Sequence, residues 1–259
     1  MLNVLTHLPS PSLEQCELTF LNSEPINIKK ALKEHEAYRE MINSCGANVI
    51  VIDKNIDLPD SVFVEDPIIV FDEVAILTSM GVESRRKESA TMEQVFLKYR
   101  EIKRIELPSK IEGGDVLKIG KQIFVGKSTR TNAQGIRDLR EILTPYGYEV
   151  IAVKVAGCLH LKTGCTALDD KTLLINPEWI DSKVFTGFRQ IIVPREEPFG
   201  ANILKINEII CMNEAFPKTI ELVVSLGYKV KSTDITEFVK AEAGLTCMSV
   251  PFNYGDTND

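Results

Sequence analysis

Apolar and polar positions follow one another along this chain in a repeating order: two short apolar runs, an amphipathic stretch, then another apolar run. Leu2 to Leu5 and Val49-Ile50-Val51-Ile52 read as strands, the second with no polar interruption, as in strands buried on both faces. Between them, Lys29 to Cys45 brings Ala31, Leu32, Tyr38, Met41 and Ile42 near one helical face, and Gly46 stops it. The Pro- and Ser-rich stretch Pro9 to Asn22 reads as a surface segment. From Asp60 a strand, D-S-V-F-V-E-D-P-I-I-V-F, pairs with Val74 to Leu77 across Asp72-Glu73, ahead of a helix over Lys87 to Tyr99 and a strand over Ile102 to Leu107. The order returns as the hairpin Ile111 to Ile119 with Ile123 to Val125, the helix Asn132 to Tyr146 and the strand Glu149 to Val155. It returns again as Leu159 to Leu168 with Thr172 to Ile175, a short helix over Trp179 to Phe185 and the strand Gln190 to Val193. The last full turn is the hairpin Ala201 to Met212, the helix Lys218 to Leu226 and the strand Tyr228 to Lys231.

Measured from Val62 through Ile111, Leu159 and Ala201 to Leu245, the spacings are 49, 48, 42 and 44 residues. A period in that range marks a repeat architecture. If the C-terminal strand Leu245 to Pro251 pairs into the N-terminal unit, the ring closes and no sheet edge stays open. The fold expected is α/β, a five-bladed α/β propeller of ββαβ units with pseudo-fivefold symmetry, as one domain over residues 1–259. A doubly wound sheet also alternates strands with helices. It needs one strand per helix, however, and its usual companions, G-x-G-x-x-G or a P-loop, are absent from the sequence.

Composition narrows the partners. With 44% hydrophobic and 26% charged residues and a net charge of -7, the chain has the composition of an ordinary soluble globular protein. Its charge argues against nucleic acid or an anionic membrane, which call for a basic face. The charge suits a cationic small molecule. No apolar run approaches the roughly 18 residues of a spanning helix, and the start M-L-N-V-L-T-H-L-P-S is not a signal peptide. Six cysteines, at 16, 45, 158, 165, 211 and 247, form no C-x-x-C pair, which fits reduced thiols in a cytoplasm and neither disulfides nor a zinc site.

The polar residues on the first strand of each unit are the informative ones: Asp60, Glu65 and Asp66; Glu112 and Asp115; His160; Asn202; Cys247. Strands at the centre of a ring should be apolar, because an unpaired buried charge is costly. A site accounts for these groups better than packing does. Cys247 follows Ala243 and Gly244, where a turn presents its thiol, although a free cysteine is equally at home as a small core residue. Of three histidines, His7 is near the N-terminus, His35 sits mid-helix among charges and reads as solvated, and His160 alone follows an apolar approach. Cysteine with histidine is a recurring nucleophile–base pair, and a group such as Glu112 orients the imidazole. Cys165, an odd number of residues past His160, falls on the other strand face and reads as packing. On pattern alone, Arg85-Arg86-Lys87 is a solvated charge run and Asp60 a turn acid after Pro59.

Six stretches together resemble the dimethylarginine dimethylaminohydrolases of the guanidine-modifying (pentein) superfamily: D-S-V-F-V-E-D at Asp60, S-R-R-K-E at Ser84, E-G-G-D-V-L at Glu112, S-T-R-T-N at Ser128, L-H-L-K-T-G at Leu159 and L-T-C-M-S at Leu245. The resemblance runs from Leu18 to Phe252. It implies Cys247 as nucleophile, His160 as acid and base, and Glu112 as its orienter. It further implies Asp66, with Glu65 beside it, on the guanidinium, and Arg85 and Arg130 on the substrate α-carboxylate. Asp60 and the Leu18 carbonyl would take the α-amino group, the backbone near Ala241 would line the pocket, and Phe63 would pack on the aliphatic stem. One departure stands out: Glu242-Ala243 occupies a place where Asp-Gly is frequent, and alanine resists positive φ, so an altered loop is expected there.

The implied reaction hydrolyses Nω-methylated arginine to citrulline and an alkylamine through a covalent cysteine intermediate, with neither metal nor organic cofactor. A guanidinium, with a pKa of about 12.5 to 13.8, arrives as a delocalised cation, which carboxylates match bidentately and a thiolate attacks. Arginine deiminase or amidinotransferase chemistry on the same fold is the neighbouring alternative. A catalytically silent propeller that binds a partner is the alternative of another class, and the ring leaves room for a homodimer.

Overall fold

The apolar runs of the chain pair into five separate three-stranded sheets. The computed structural model describes residues 1–254. Strand β1 (Leu2–His7), helix α1 (Ile28–Ser44) and β2 (Asn48–Ile52) come first, then β3 (Ile68–Val70), β4 (Val74–Leu77), α2 (Glu88–Phe96) and β5 (Glu101–Arg104). The third unit is β6 (Val116–Ile119), β7 (Gln122–Lys127), α3 (Ala133–Leu143) and β8 (Glu149–Lys154). The fourth opens on a single helical turn, α4 (Leu161–Gly164), before β9 (Cys165–Asp169), β10 (Thr172–Ile175) and β11 (Arg189–Ile192). The fifth is β12 (Leu204–Ile206), β13 (Ile209–Asn213), α5 (Pro217–Ser225) and β14 (Lys229–Thr233). After α6 (Thr236–Val239), β15 (Val250–Asn253) runs antiparallel to β1, Val250 opposite Leu5. The first sheet is therefore assembled from both ends of the chain.

Every sheet repeats one pattern, an antiparallel hairpin whose second strand is parallel to a third. Residues of β3, β6, β12 and β15 line one cavity of about 200 Å3, which marks the first strand of four of the five units as the innermost. This is the five-bladed α/β propeller of ββαβ units.

Side-chain alternation explains both the uninterrupted runs and the ring. Successive strand residues point to opposite faces, and here each face belongs to a different apolar wedge. Val4 enters the wedge between the fifth and first sheets, and Leu5 the wedge between the first and second. Val116 and Ile123 pack toward the second sheet, Leu117 and Phe124 toward the fourth. Leu173 and Leu174 divide in the same way between the third and fifth sheets. Five wedges between five sheets bury most of the apolar strand residues, while Val51 and Ile192 on outer strands stay exposed.

Capping sets the helix starts where the sequence offers it: Asn27 Oδ1 accepts from Lys30 N–H at 3.1 Å and Asn132 Oδ1 from Gly135 N–H at 2.8 Å. Two expectations fail. The stretch Trp179 to Phe185 holds only a 3-10 turn at Ser182–Val184, because so short a segment cannot offset helix nucleation. His35 is fully buried, its ring 6.1 Å from those of Tyr38 and Phe238. The helix phase that carries Ala31, Tyr38 and Ile42 inward carries it too. Among the described residues no helix is long and apolar enough to cross a membrane.

Candidate active site

The polar residues of the first strands are not in strands. Residues 60–67 fold as successive turns ahead of β3. Gly113–Asp115 is a 3-10 turn ahead of β6, His160 is the N-cap of α4 ahead of β9, and Thr246–Met248 is a 3-10 turn ahead of β15. Asn202 likewise precedes β12. Inner strands set most of their residues against apolar wedges, where an unpartnered charge is costly, and Lys118 of β6 and Lys205 of β12 instead line the cavity. The turns gather the charges at one end of the pore. The strand-face argument for Cys165 fails with the strand. That residue is nonetheless buried in an apolar wedge, and burial pushes its thiol far up.

His160 Nε2 lies 2.8 Å from Glu112 Oε2, and Nδ1 lies 3.9 Å from Asp66 Oδ1. Nε2 is committed to Glu112, so Nδ1 is the nitrogen free to exchange a proton. The other Glu112 oxygen accepts from Gly81 N–H at 2.8 Å, and Asp66 Oδ1 accepts from Gly114 N–H at 3.1 Å. Gly114 must be glycine: a Cβ there would stand 2.5 Å from His160 Nδ1 and 2.9 Å from Asp66 Oδ1. One ligand atom each from Asp66, Glu112 and His160 falls within 4.8 Å of the others. The carboxylate oxygens already have the partners named, which makes this a hydrogen-bonded charge cluster.

Burial opposes the imidazolium of His160, but Asp66, the Glu112 hydrogen bond and Asp115 outweigh it and raise its pKa to about 9. Burial likewise works against the Asp66 carboxylate, and His160 and Arg85 overcome it, holding the acid below its usual range. Cys247 keeps part of its surface accessible while its sulfur lies deep among protein atoms. Burial, then Glu65 and Asp66, push its thiol up to about 12, against a 3.4 Å hydrogen bond from Gly244 N–H.

The two arginines differ. Arg85 is far from a solvated run: its Nε and Nη2 donate to Glu88 at 3.0 and 2.9 Å, its Nη1 to Asp66 at 2.8 Å, and Nη2 also to the Phe63 carbonyl at 3.3 Å. Asp60 stands 3.9 Å from its Nε. Arg130 donates from Nη2 to Thr19 Oγ1 at 2.9 Å, while buried Nη1 sits 3.5 Å from Glu112 with no hydrogen bond. Of the two guanidiniums, Arg130 is the one with donors to spare.

The outer residues meet on the segment 17–21. Asp60 accepts from Glu17 N–H at 3.3 Å, which leaves half-buried Leu18 between Asp60 and the Arg130 contact at Thr19. Glu242 accepts from Thr19 N–H at 3.0 Å and also from Phe20 and Leu21 N–H. It is Glu242, at φ 59°, and not Ala243, that takes the left-handed conformation, so the expected strain sits one residue earlier. Phe63 and Ala241 are buried in the wedge behind the site, with the Arg85 guanidinium 5.9 Å from the Phe63 ring centre.

Several partners escaped the sequence reading. Glu88 clamps Arg85, and burial raises its carboxyl to about 7. Lys162 pairs with Glu65, whose other oxygen accepts from Thr246 Oγ1 at 2.9 Å. Asn202 Nδ2 donates to Thr246 Oγ1 at 3.1 Å and to the Lys162 carbonyl at 2.9 Å. Glu88, Lys162 and Thr246 all lie within the motif stretches, but nothing in the motifs says what each would touch.

Residues 14–249 match the eukaryotic N,N-dimethylarginine dimethylhydrolase family. The N(G),N(G)-dimethylarginine dimethylaminohydrolase of Streptomyces coelicolor is 38% identical over 249 residues, 95% of each chain. That of Pseudomonas aeruginosa is 36% identical over 225 residues, 86% of this chain and 89% of the relative. A mutant of the P. aeruginosa enzyme, solved in complex with citrulline, superposes with a TM-score of 0.90 at 34% identity, covering 96% of this chain and 98% of that one. The N-terminal domain of the arginine dihydrolase ArgZ, 22% identical with a TM-score of 0.88 over 96% of this chain and 97% of that one, shares the fold. The chain belongs to the dimethylarginine dimethylaminohydrolase family and is a hydrolase acting on C–N bonds.

Proposed function

We propose that this enzyme hydrolyses Nω-methylated arginine to citrulline and the corresponding methylamine, with Cys247 as nucleophile. The observation that carries the reading is the buried His160, held at Nε2 by Glu112 and facing Asp66 with its other nitrogen. Around it the acids outnumber the cations, with Asp60, Asp66 and Glu88 sharing Arg85, and Glu65 and Glu112 set against Lys162 and Arg130, an excess that suits a planar cation. Citrulline, the product of this reaction, is the ligand of the similar P. aeruginosa structure.

The cation takes part in its own activation. Burial, then Glu65 and Asp66, raise the Cys247 thiol, and a guanidinium bound between these acids and the sulfur offsets the acids' part, favouring thiolate when substrate is present. Sγ forms a bond to the guanidinium carbon. Protonated His160 delivers its Nδ1 proton to the departing nitrogen, the C–N bond breaks and methylamine leaves. Neutral His160 then takes a proton from water, whose oxygen adds to the amidino carbon. Cleavage of the C–S bond returns the sulfur and releases citrulline. Asp66 and Glu65 hold the guanidinium, Arg130 takes the α-carboxylate, and Asp60 with the Leu18 carbonyl takes the α-amino group. Phe63 and Ala241 close the apolar side. Arg85 acts through Asp66.

Incubation with asymmetric dimethylarginine, monomethylarginine and arginine, followed by assay of citrulline and of the released amine, tests this reading. Dimethylamine and methylamine are expected. Ammonia from arginine as the faster product would assign the enzyme to deiminase chemistry instead.

A further inference from the structure

One carboxylate touches both the His160 turn and the Arg130 loop. Asp115 exposes none of its surface. Its Oδ1 accepts from the N–H of Leu161, the residue after His160, at 2.9 Å, and its Oδ2 accepts from Ser128 Oγ at 2.6 Å. That hydroxyl oxygen accepts in turn from Arg130 N–H at 3.0 Å and Thr131 N–H at 3.1 Å. Thr131 Oγ1 accepts from Glu112 N–H at 3.2 Å, and Asp115 N–H donates to the Glu112 carbonyl at 3.0 Å. The path thus reaches the group that holds the imidazole. Room for it depends on Gly126, where a Cβ would stand 2.4 Å from Asp115 Oδ1.

We infer that Asp115, with Ser128 as its arm, is a positioning residue that orients His160 and places Arg130, coupling the proton-transfer group to the substrate clamp. The inference rests on the roles proposed above for His160 and Arg130. Asp115 touches no reacting atom; it acts through the two peptide segments it holds and through its charge. Facing His160 are Asp66 with Arg85 behind it, Glu112 with Arg130 behind it, and Asp115, while Lys162 on the same turn is engaged by Glu65. Asp115 is one of the three acids that favour the imidazolium.

With only three histidines in the chain, imidazole NMR resolves His160 without recourse to activity. Asp115→Asn keeps the Leu161 contact but removes the charge and turns an NH2 donor toward Ser128 Oγ, which already accepts two N–H, so the Arg130 arm is displaced. We expect His160 to titrate about one pH unit lower or more, and kcat/KM to fall about 100-fold through misplacement. An unchanged His160 titration in folded Asp115→Asn protein overturns the inference. Ser128→Ala cuts the Arg130 arm alone and serves even if Asp115→Asn does not fold. KM should rise about tenfold with the His160 titration unmoved, and a KM within about twofold of the parent overturns the coupling. Normal turnover in His160→Gly would instead sink the proposed mechanism itself, whatever Asp115→Asn does to the titration.

Discussion

His35 and His160 are equally hidden, with 0% and 3% of their surfaces exposed, yet their surroundings favour a neutral ring at one and a cation at the other. His35 projects from α1 toward Phe238 of α6, where burial, then Arg39 and His7, push its pKa down to about 3 and neither ring nitrogen has a hydrogen-bond partner. His160 meets the same desolvation beside three acids and rises to about 9. Burial alone turns an imidazole into a neutral apolar ring, and burial among carboxylates turns it into a held cation. The difference lies in which turn or helix delivers the neighbours.

The comparison sharpens most at the sulfur that His160 is proposed to serve. Cys247→Ser should lower citrulline production by more than about 10,000-fold, as loss of an enzyme nucleophile does, with the fold retained by circular dichroism. Citrulline at the parental rate would remove the cysteine from the mechanism. His160→Gly should cost about 100- to 10,000-fold and leave a Cys247 adduct visible by intact mass, whereas His35→Leu should stay within about twofold in kcat. Equal losses at both positions would break the comparison.

The arginines extend it. Arg130→Ala should lower kcat/KM for dimethylarginine by about 10- to 150-fold while sparing agmatine, which lacks the α-carboxylate. Arg85→Ala should hurt both substrates alike, since its donors are spent on Glu88 and Asp66. The reverse pattern in substrate assays would exchange their roles.

The smallest effect is on stability. His160, raised from 6.5 to about 9, contributes stability that is complete below pH 6.5 and lost as pH rises through 9. His35, lowered from 6.5 to about 3, costs nothing above pH 6.5 and destabilises increasingly from there down to pH 3, because the unfolded chain alone takes up the proton. Thermal melts should therefore show His160→Gly flattening the alkaline limb and His35→Leu the acid limb. At neutral pH His35→Leu should be neutral or stabilising, as it removes two unpaired buried nitrogens. An acid limb unchanged in His35→Leu would mean that the ring reaches water.

Local pattern was enough for the architecture. The run Thr172 to Ile175 has no polar face because its strand lies between two wedges, whereas Val49 to Ile52, read as a buried strand, is an outer strand with Val51 exposed. A hairpin ahead of α2, α3 and α5 admits few other closures. It failed at Trp179 to Phe185, which carries helical residues but too few of them. Type and spacing pointed to Cys247 with His160, and the family resemblance added the roles of Glu112 and Asp66. The fold sets Glu112 and Asp66 against His160, with Asp66 close enough to act on the Cys247 thiol.

Tertiary structure alone decided how those residues are held. Charges expected in strands lie in the turns before them, where neighbouring N–H groups and side chains partner them, while inner-strand charges such as Lys118 and Lys205 line the central cavity. Arg85 reads in sequence as one of three surface cations, and only the folded chain sets Glu88, Asp66 and Asp60 against it. His35 and His160 are chemically identical in the sequence, and Asp115 is one acid among many. A residue's charge and hydrogen bonds depend on groups that, for His160 and Asp66, are 94 positions away along the chain. Periodicity is a property of neighbours in sequence and determined the sheets and helices. Electrostatics depends on neighbours in space, which exist only once the five sheets have closed.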